Sequence, residues 1–172
     1  MTMRATKPTS GKATKAAPRL KNYASEASLE SIFAAIRTTL ATHKAKRIMF
    51  DYDEAGRATA IEFVVELGRT PYTFRLPARF EAAKPLVKKA REDAGAWRIS
   101  EEKLDEQAYR AVWATIRDWV SAQMALIDIG ASRMEEVFMP YLIVEPGVTM
   151  FERFAEQRQL PAPKFSITEE MT

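Results

Sequence analysis

The segment that decides the fold runs from Arg47 to Arg79 and reads RIMFDYDEAGRATAIEFVVELGRTPYTFRLPAR. Large apolar and polar residues alternate along three runs of this segment, which is the spacing of strands that bury one face. Gly56 and Gly68 lie between the runs, in connections short enough for tight hairpins. The segment therefore predicts a three-stranded antiparallel sheet with one apolar and one charged face, and helices must cover the apolar face.

Helices are predicted before and after the three strands in the sequence. Before it, an apolar stripe within residues 29–40 follows Ser28, a residue type that favours a helix N-cap. After it, a basic helix is expected from about Phe80 to Asp93. Because Pro85 is tolerated only in a first turn, the true start of this helix is expected as late as Lys84.

A long helix is expected to begin at Ser100 and to end at Gly130. We expect Tyr109, Trp113 and Trp119 to serve packing, with Trp119 in the core against the sheet. Helical spacing predicts an apolar side made of Leu104, Ala108, Val112, Ile116, Trp119, Gln123 and Leu126.

The C-terminal third carries two capping-box patterns that predict short helices. Ser132 stands three residues before Glu135, and Thr149 stands three residues before Glu152. Between them, residues 137–144 are apolar and are expected to be extended around a proline. The whole pattern predicts an α+β fold: a disordered basic tail over 1–22, one domain over 23–163 and a flexible tail over 164–172.

Composition excludes several classes of function. A chain of 172 residues with 47% hydrophobic residues can fold alone as one domain. Zero cysteines remove disulfides, thiol nucleophiles and thiolate zinc sites, and the single histidine, His43, leaves little room for imidazole metal clusters. No apolar run approaches the roughly 20 residues of a membrane span, and the basic N-terminus lacks the apolar region of a secretory signal. We therefore expect a soluble, cytoplasmic protein without a cofactor.

Acidic residues around the first hairpin turn resemble part of a calcium loop. Asp51, Asp53, Gly56 and Glu62 match the EF-hand pattern, but Ala55 occupies a ligand position, and strands rather than helices flank the turn. A nuclease-type carboxylate cluster is disfavoured as well, because no lysine stands two positions after Glu62. The pattern therefore favours a polar turn without a metal.

Positive charge is concentrated in two stretches of the chain. Residues 1–22 hold six basic residues and no acid, and residues 69–98 hold eight basic residues against three acids. Cations interleaved with aromatic rings are typical of surfaces that bind single-stranded nucleic acid. The second stretch therefore predicts a nucleic-acid-binding surface made of Arg69, Arg75, Arg79, Lys84, Lys88, Lys89, Arg91, Trp97 and Arg98.

The same residues have a purely structural interpretation. Arg75 would pair across strands with Glu62 or Glu66, and the lysines of the basic helix would form a solvated face. The two interpretations differ in how many of these cations are neutralised by acids of the chain itself.

Four segments resemble a group of small, largely uncharacterised proteins that bacteriophages and prophages encode. They are FRLPA at 74–78, AQMALIDIG at 122–130, VFMPY at 137–141 and TMFE at 149–152. The similarity covers about residues 28–163, and the basic tail departs from it. The resemblance implies a phage origin and a bacterial cytoplasmic setting, and it implies neither an activity nor catalytic residues.

Together these observations predict a non-enzymatic phage accessory protein that binds nucleic acid, with single-stranded DNA as one candidate, through residues 69–98 and the tail. The alternative is a protein-interaction module, such as an inhibitor of a host enzyme or an oligomeric structural factor. In that case the edges of the sheet offer a way to pair with another copy.

Overall fold

The computed structural model describes residue 22 and residues 25–95 and 99–157. The predicted α+β class and its three-stranded antiparallel sheet are confirmed. The predicted tails, apart from Asn22, and the site residues Trp97 and Arg98 lie outside the described residues.

The elements are α1 Leu29–Thr42, β1 Arg47–Tyr52, β2 Ala58–Leu67, β3 Thr70–Pro77, a 3₁₀ turn Phe80–Ala83, α2 Lys84–Asp93, α3 Glu101–Asp128, α4 Met134–Phe138, a 3₁₀ turn Met139–Tyr141, β4 Ile143–Glu145, β5 Val148–Thr149 and α5 Met150–Glu156.

The sheet has the order β1-β2-β3, and β4 and β5 form a separate small ribbon. On the apolar face, Phe63 of β2 pairs with Ile48 of β1 and with Phe74 of β3. The rings of Phe63 and Phe74 lie 5.4 Å apart, and both side chains are buried. Leu142 forms an isolated antiparallel bridge with Phe74, so the segment that leads into β4 covers part of the outer edge of β3.

The helix starts follow the sequence signals. Ser28 caps α1 by accepting a hydrogen bond from the Ser31 N–H at 3.2 Å, and Ser100 caps α3 by accepting one from the Lys103 N–H at 3.3 Å. Helix α2 begins at Lys84 after a short 3₁₀ turn and has a proline in its first turn, as predicted. These local patterns therefore predict where the helices begin without help from the rest of the chain.

Helices α1 and α3 cover the apolar face of the sheet and share its core. Trp113 of α3 is fully buried there. Its ring lies 4.9 Å from that of Phe33 on α1 and 5.7 Å from that of Phe50 on β1. This contact between three elements makes Trp113 the central aromatic residue of the core.

The face that α3 buries differs from the predicted stripe. Leu104 and Ala108 are buried as expected, but farther along the helix the structure buries Trp113, Val120 and Met124. Apolar residues surround much of α3, so more than one stripe satisfies helical spacing, and the contact with α1 and the sheet decides which one is buried. The rest of the predicted stripe is partly buried or exposed: Val112, Ile116, Trp119, Gln123 and Leu126.

The interpretation of Trp119 as a core residue packed on the sheet is therefore wrong. Its side chain is partly buried at the margin of the core. Its ring contacts Phe138 and Tyr141, with both pairs of ring centroids 5.5 Å apart. Trp119 thus packs against the C-terminal elements, and this position makes it available to a surface site.

Residues 137–144 were predicted to be extended, and only the last three of them are. They comprise the end of α4, the 3₁₀ turn at Met139–Tyr141 and the beginning of β4. Pro140 lies in the first turn of this 3₁₀ segment, where its missing N–H costs no helical hydrogen bond. The proline thus starts a tight turn, whereas the prediction placed it within an extended segment.

The two predicted capping boxes have different outcomes. The one opening at Ser132 is wrong by one position, since the Arg133 N–H donates to the Glu136 carboxylate at 2.9 Å. The second is confirmed: the Thr149 N–H donates to Glu152 at 2.8 Å, and the Glu152 N–H donates to the Thr149 hydroxyl at 3.3 Å. This second cap fixes the start of α5 against the small ribbon.

Candidate functional site

An open pocket of about 510 Å³ lies between α3, the end of β3 and the C-terminal elements. Helix α3 supplies one wall through residues spaced by three or four positions, which therefore share one helical face. These residues are Val112, Thr115, Ile116 and Trp119. The opposite wall is formed by Leu76, Pro77, Arg79, Pro140, Tyr141 and Phe151.

Local sequence features explain how the second wall is placed. Pro77 ends β3 and directs the chain away from the sheet beside α3. The proline-started turn after α4 brings the Tyr141 ring to 5.5 Å from the Trp119 ring. The Thr149 cap starts α5 one residue before Phe151, so the phenylalanine occupies the first turn of that helix. Three separate stretches of chain thus meet at one site.

The back of the pocket is held by the core of the domain. Phe138 is fully buried and lies edge-on against Trp119, with ring centroids 5.5 Å apart. It also lies edge-on against Phe63 of the sheet at 5.3 Å. Because Phe138 packs on both rings, Trp119 is supported from behind in a fixed position.

The front of the pocket exposes large apolar side chains to solvent. Phe151 lines the pocket and is 51% exposed. Phe154, which follows it by three positions on the same helix face, is 62% exposed, and Met139, next to Pro140, is 53% exposed. Single exposed apolar residues are ordinary, whereas several grouped beside a pocket indicate an interaction site.

Arg79 is the charged residue among those that line the pocket. It is exposed and makes no ion pair with any residue that the structure describes. The adjacent Arg153 of α5 is different, because it pairs with Glu145 at 2.6 Å. The pocket therefore combines an apolar lining with one positive charge that forms no ion pair with an acid of the described residues.

The carboxylate of Glu152 lies near Arg79 and has another role. Its Oε2 accepts hydrogen bonds from both the N–H and the hydroxyl of Thr149, each at 2.8 Å. These bonds hold the pKa of Glu152 below its usual value, and the more distant charges of Arg75 and Arg79 add to the effect. Glu152 thus serves as a helix cap, and Arg79 remains available to a ligand.

The lining is chemically suited to binding. Its polar groups are the Arg79 guanidinium and the hydroxyls of Thr115 and Tyr141. The Thr115 hydroxyl donates to the Ala111 carbonyl of its own helix at 2.7 Å. Such a set can hold an apolar group and pair with an anion. Among the described lining residues there is no histidine, carboxylate or lysine for general acid–base chemistry.

Arg75, the first of the predicted nucleic-acid contacts, is neutralised within the sheet. Its Nε lies 3.1 Å from Asp51 on β1 and 3.2 Å from Glu62 on β2. Burial raises the pKa of Glu62, the Asp51 charge adds to this, and Arg75 opposes both. The cross-strand pairing of Arg75 with Glu62 that the structural interpretation proposed is therefore confirmed, whereas Glu66 pairs with Lys46.

Lys84 is also committed to acids of the chain itself. Its ammonium pairs with Asp105 of α3 and, at 2.7 Å, with Glu81. Asp105 in turn binds the Arg57 guanidinium at 2.6 Å, and that guanidinium lies 4.5 Å from the centre of the Phe80 ring. The hydrogen bonds with Lys84 and Arg57 hold the pKa of Asp105 below its usual value. This network ties the first hairpin to α2 and α3.

The other predicted contacts that the structure describes lie on α2 or beyond the two ends of β3. Arg91 donates to Gln107 of α3 at 3.1 Å. Arg69 lies in the turn before β3 and Arg79 beyond its other end, and a strand of eight residues spans roughly 25 Å. Lys88 and Lys89 are exposed on α2, without an ion pair in the described part of the chain. The structure thus groups three of these cations on α2 and separates Arg69 from Arg79. The role of the predicted surface in binding nucleic acid stays a prediction.

Of the described lining residues only Arg79 was a predicted site residue, and the three aromatic ones were missed. Tyr141 and Phe151 were not predicted as site residues, and Trp119 was placed in the core. A signal existed in Phe151 and Phe154, which share one face of a capped helix too short to bury both of them. The pocket itself depends on contacts between segments far apart in sequence, and no local pattern reports those.

Comparison of the chain with protein-family models, with curated proteins and with solved structures finds no match in any of the three. Across residues 25–95 and 99–157, none of the helices has both the length and the apolar character needed to cross a membrane. In the same residues, no three acidic or histidine side chains are grouped as metal ligands. Function must therefore be inferred from the pocket and from the charges that remain unpaired.

Proposed function

We propose that this chain is a non-enzymatic protein-interaction module whose pocket receives large apolar side chains of a partner protein. The observation that supports this most strongly is the exposure of Phe151 at the pocket wall, with Phe154 and Met139 beside it. Water contact with several large apolar side chains is unfavourable, and a partner that covers them gains about 25 cal/mol for each Å² removed from water.

The geometry of the pocket supports the same function. Its volume of about 510 Å³ is comparable with sites that hold a few large side chains or a small ligand. Trp119 and Tyr141 offer aromatic surfaces that contact each other, and Phe138 supports Trp119 from behind. Aromatic residues held in this way are the kind that dominates the binding energy of protein interfaces.

The test compares two exposed apolar residues, one at the pocket and one away from it. Phe151→Ser should abolish stoichiometric capture of the partner by the full chain from a bacterial lysate. Ile129→Ser should leave capture intact, because Ile129 is 75% exposed but follows α3 at its C-terminal end and does not line the pocket. Both variants should stay within about 0.5 kcal/mol of the wild-type stability, since both side chains are exposed.

Two results would contradict the proposal. The first is a partner that binds the Phe151→Ser variant as well as the wild type. The second is equal loss of the partner in both variants, which would locate the interface outside the pocket.

A second candidate function is the binding of nucleic acid, with a phage accessory role as the sequence resemblance implies. The exposed, unpaired lysines Lys88 and Lys89 favour it, and the six cations of residues 1–22 would add to their charge. Contacts to phosphate should make the affinity for single-stranded DNA fall by about 0.7 log units per contact for each decade of salt.

The structure changes how this second function should be tested. Lys84 must stay intact, because its loss would break the network with Asp105. The Lys88→Gln, Lys89→Gln double variant should lower both the affinity and the salt slope, whereas a control with Lys44→Gln and Lys103→Gln should lower them less. The comparison belongs in a chain that lacks residues 1–21 and keeps Asn22, which donates to Asp118 at 3.0 Å. Absence of binding by this shortened chain at low salt would exclude the folded part as a nucleic-acid site.

A further inference from the structure

Arg79 differs from three other cations of the described residues, on β3, α2 and α5, that form ion pairs. Arg75 pairs with two carboxylates of the sheet, Lys84 pairs with Asp105 and Glu81, and Arg153 pairs with Glu145. Arg79 alone among them has no acid within ion-pair distance in the described residues. Since it also lines the pocket, its charge is placed where a bound group would meet it.

The backbone holds Arg79 in a defined place. The residues on both sides, Ala78 and Phe80, are buried, and the Ala78 N–H donates to the Thr59 carbonyl at 2.7 Å. Phe80 packs edge-on against Tyr109 of α3, with ring centroids 5.2 Å apart. With its neighbours fixed in this way, Arg79 lines the pocket together with Leu76 and Pro77.

An arginine in this position favours a carboxylate. The planar guanidinium matches a carboxylate in a bidentate arrangement, and such charge-assisted hydrogen bonds are stronger than neutral ones. The apolar lining of the pocket excludes part of the water, which reduces the screening of the pair. Glu152 acts on Arg79 only as a more distant charge, because its Oε2 caps α5 and no ion pair joins the two residues.

We infer that the partner segment in the pocket presents a carboxylate beside its apolar anchor, and that Arg79 pairs with this carboxylate while Trp119 and Tyr141 contact the anchor. This inference rests on the proposed protein-interaction function. The carboxylate belongs either to an Asp or Glu side chain or to the C-terminus of the partner, and both sources offer the same chemistry to Arg79.

The experiment uses two pairs of small probes that differ only in charge. N-acetyl-tryptophan carries a terminal carboxylate, and N-acetyl-tryptophan amide does not. N-acetyl-Glu-Trp-amide carries a side-chain carboxylate, and N-acetyl-Gln-Trp-amide does not. Binding to the full chain is followed by NMR through the methyl groups of Leu76, Val112 and Ile116, which line the pocket. A preference within the first pair indicates a C-terminal carboxylate, and one within the second pair indicates a side chain.

We expect the anionic member of at least one pair to bind roughly fivefold more tightly than its neutral counterpart. Arg79→Gln should abolish this preference and leave the affinity for the neutral probe unchanged. Arg79→Lys should keep part of it, since the charge remains but the bidentate geometry is lost. The matched control is Arg69→Gln, which removes an exposed cation beyond the far end of β3 and should keep the full preference.

The possible failures are distinguishable. Equal affinities of charged and neutral probes, unaffected by Arg79→Gln, would overturn the inference about the carboxylate and leave the proposed function standing. Absence of pocket shifts with all four probes would overturn both. Phe165→Ser removes a large apolar side chain from the C-terminal segment. If the probes bound this variant but not the wild type, the C-terminal segment of the chain itself would be the occupant of the pocket. If the pocket signals instead shifted with protein concentration, a second copy would be the occupant, and either result would overturn the inference about a separate partner.

Discussion

Trp113 and Trp119 lie six residues apart on the same helix and have opposite roles. Trp113 is fully buried between α1 and β1, whereas Trp119 is partly exposed and lines a pocket. A separation of six residues turns the side chain by about 240° around a helix, so the two rings face different neighbours. The first side is covered by long regular elements, and the second is covered only in part by α4, two tight turns and α5. Incomplete cover, rather than a special residue type, therefore creates the site.

The largest effect should come from removing the buried ring. Trp113→Ala should lower the free energy of unfolding by about 3–5 kcal/mol, because it leaves a cavity where α1, β1 and α3 meet. Denaturation by urea measures this directly. A loss below about 1 kcal/mol would mean that the region around α1 is not the principal core.

The exposed ring should matter less to stability and more to binding. Trp119→Ala should cost about 1–2 kcal/mol, because the ring is only partly buried against Phe138 and Tyr141. The same variant should lose binding of the neutral probe N-acetyl-tryptophan amide, and Trp113→Phe offers a core control. A cost equal to that of Trp113→Ala would remove the distinction between the two sides of α3.

The smallest effect concerns the joint where the ends of α1 and α3 meet. His43 caps α1, with Nδ1 2.7 Å from the Thr39 carbonyl and Nε2 3.1 Å from the Asp128 carboxylate of α3. The bond to Thr39 raises the pKa of His43 above its usual value of 6.5, Asp128 adds to this, and burial opposes it. The protonated form is therefore favoured by folding, so its contribution is complete below pH 6.5 and is lost as the pH rises through the folded-state pKa.

We expect this loss to amount to less than about 1 kcal/mol, because Asp128 is largely exposed. Urea midpoints measured between about pH 5.5 and 8.5 should decline for the wild type and stay flat for His43→Gln. As the chain has only one histidine, other imidazoles cannot contribute to the difference. A wild-type urea midpoint that rises with pH over this range would contradict the prediction.

Local signals in the sequence predicted most of the fold. Alternation predicted the three strands, and the hydroxyls of Ser28, Ser100 and Thr149 predicted three helix starts, because each depends on residues within one turn. The buried face of α3 was mispredicted, since several apolar stripes were available and tertiary contacts selected one. The α4 cap was misplaced for a related reason, because Glu135 and Glu136 are adjacent and only the path of the chain decides which one reaches back.

The candidate site was much less predictable than the fold. The sequence shows that positive charge is concentrated in residues 69–98. It does not show which of these cations form ion pairs with acidic residues of the chain. Arg75 forms ion pairs with two carboxylates that lie 13 and 24 positions before it in the sequence. Lys84 pairs with a carboxylate on α3 and with a nearby one three positions before it. Arg79, two residues beyond the end of β3, forms no ion pair within the described residues. Such pairings follow from topology, which a local pattern does not contain.

The bridge between Phe74 and Leu142 also has a consequence for assembly. It covers part of one sheet edge, on a strand that prolines at 71 and 77 already make a poor template for pairing. Within the described three-stranded sheet, the outer edge of β1 carries no such bridge. Pairing between copies is therefore expected to join two β1 edges. A dimer formed in this way would present only the partly covered β3 edges at the ends of its joined sheet.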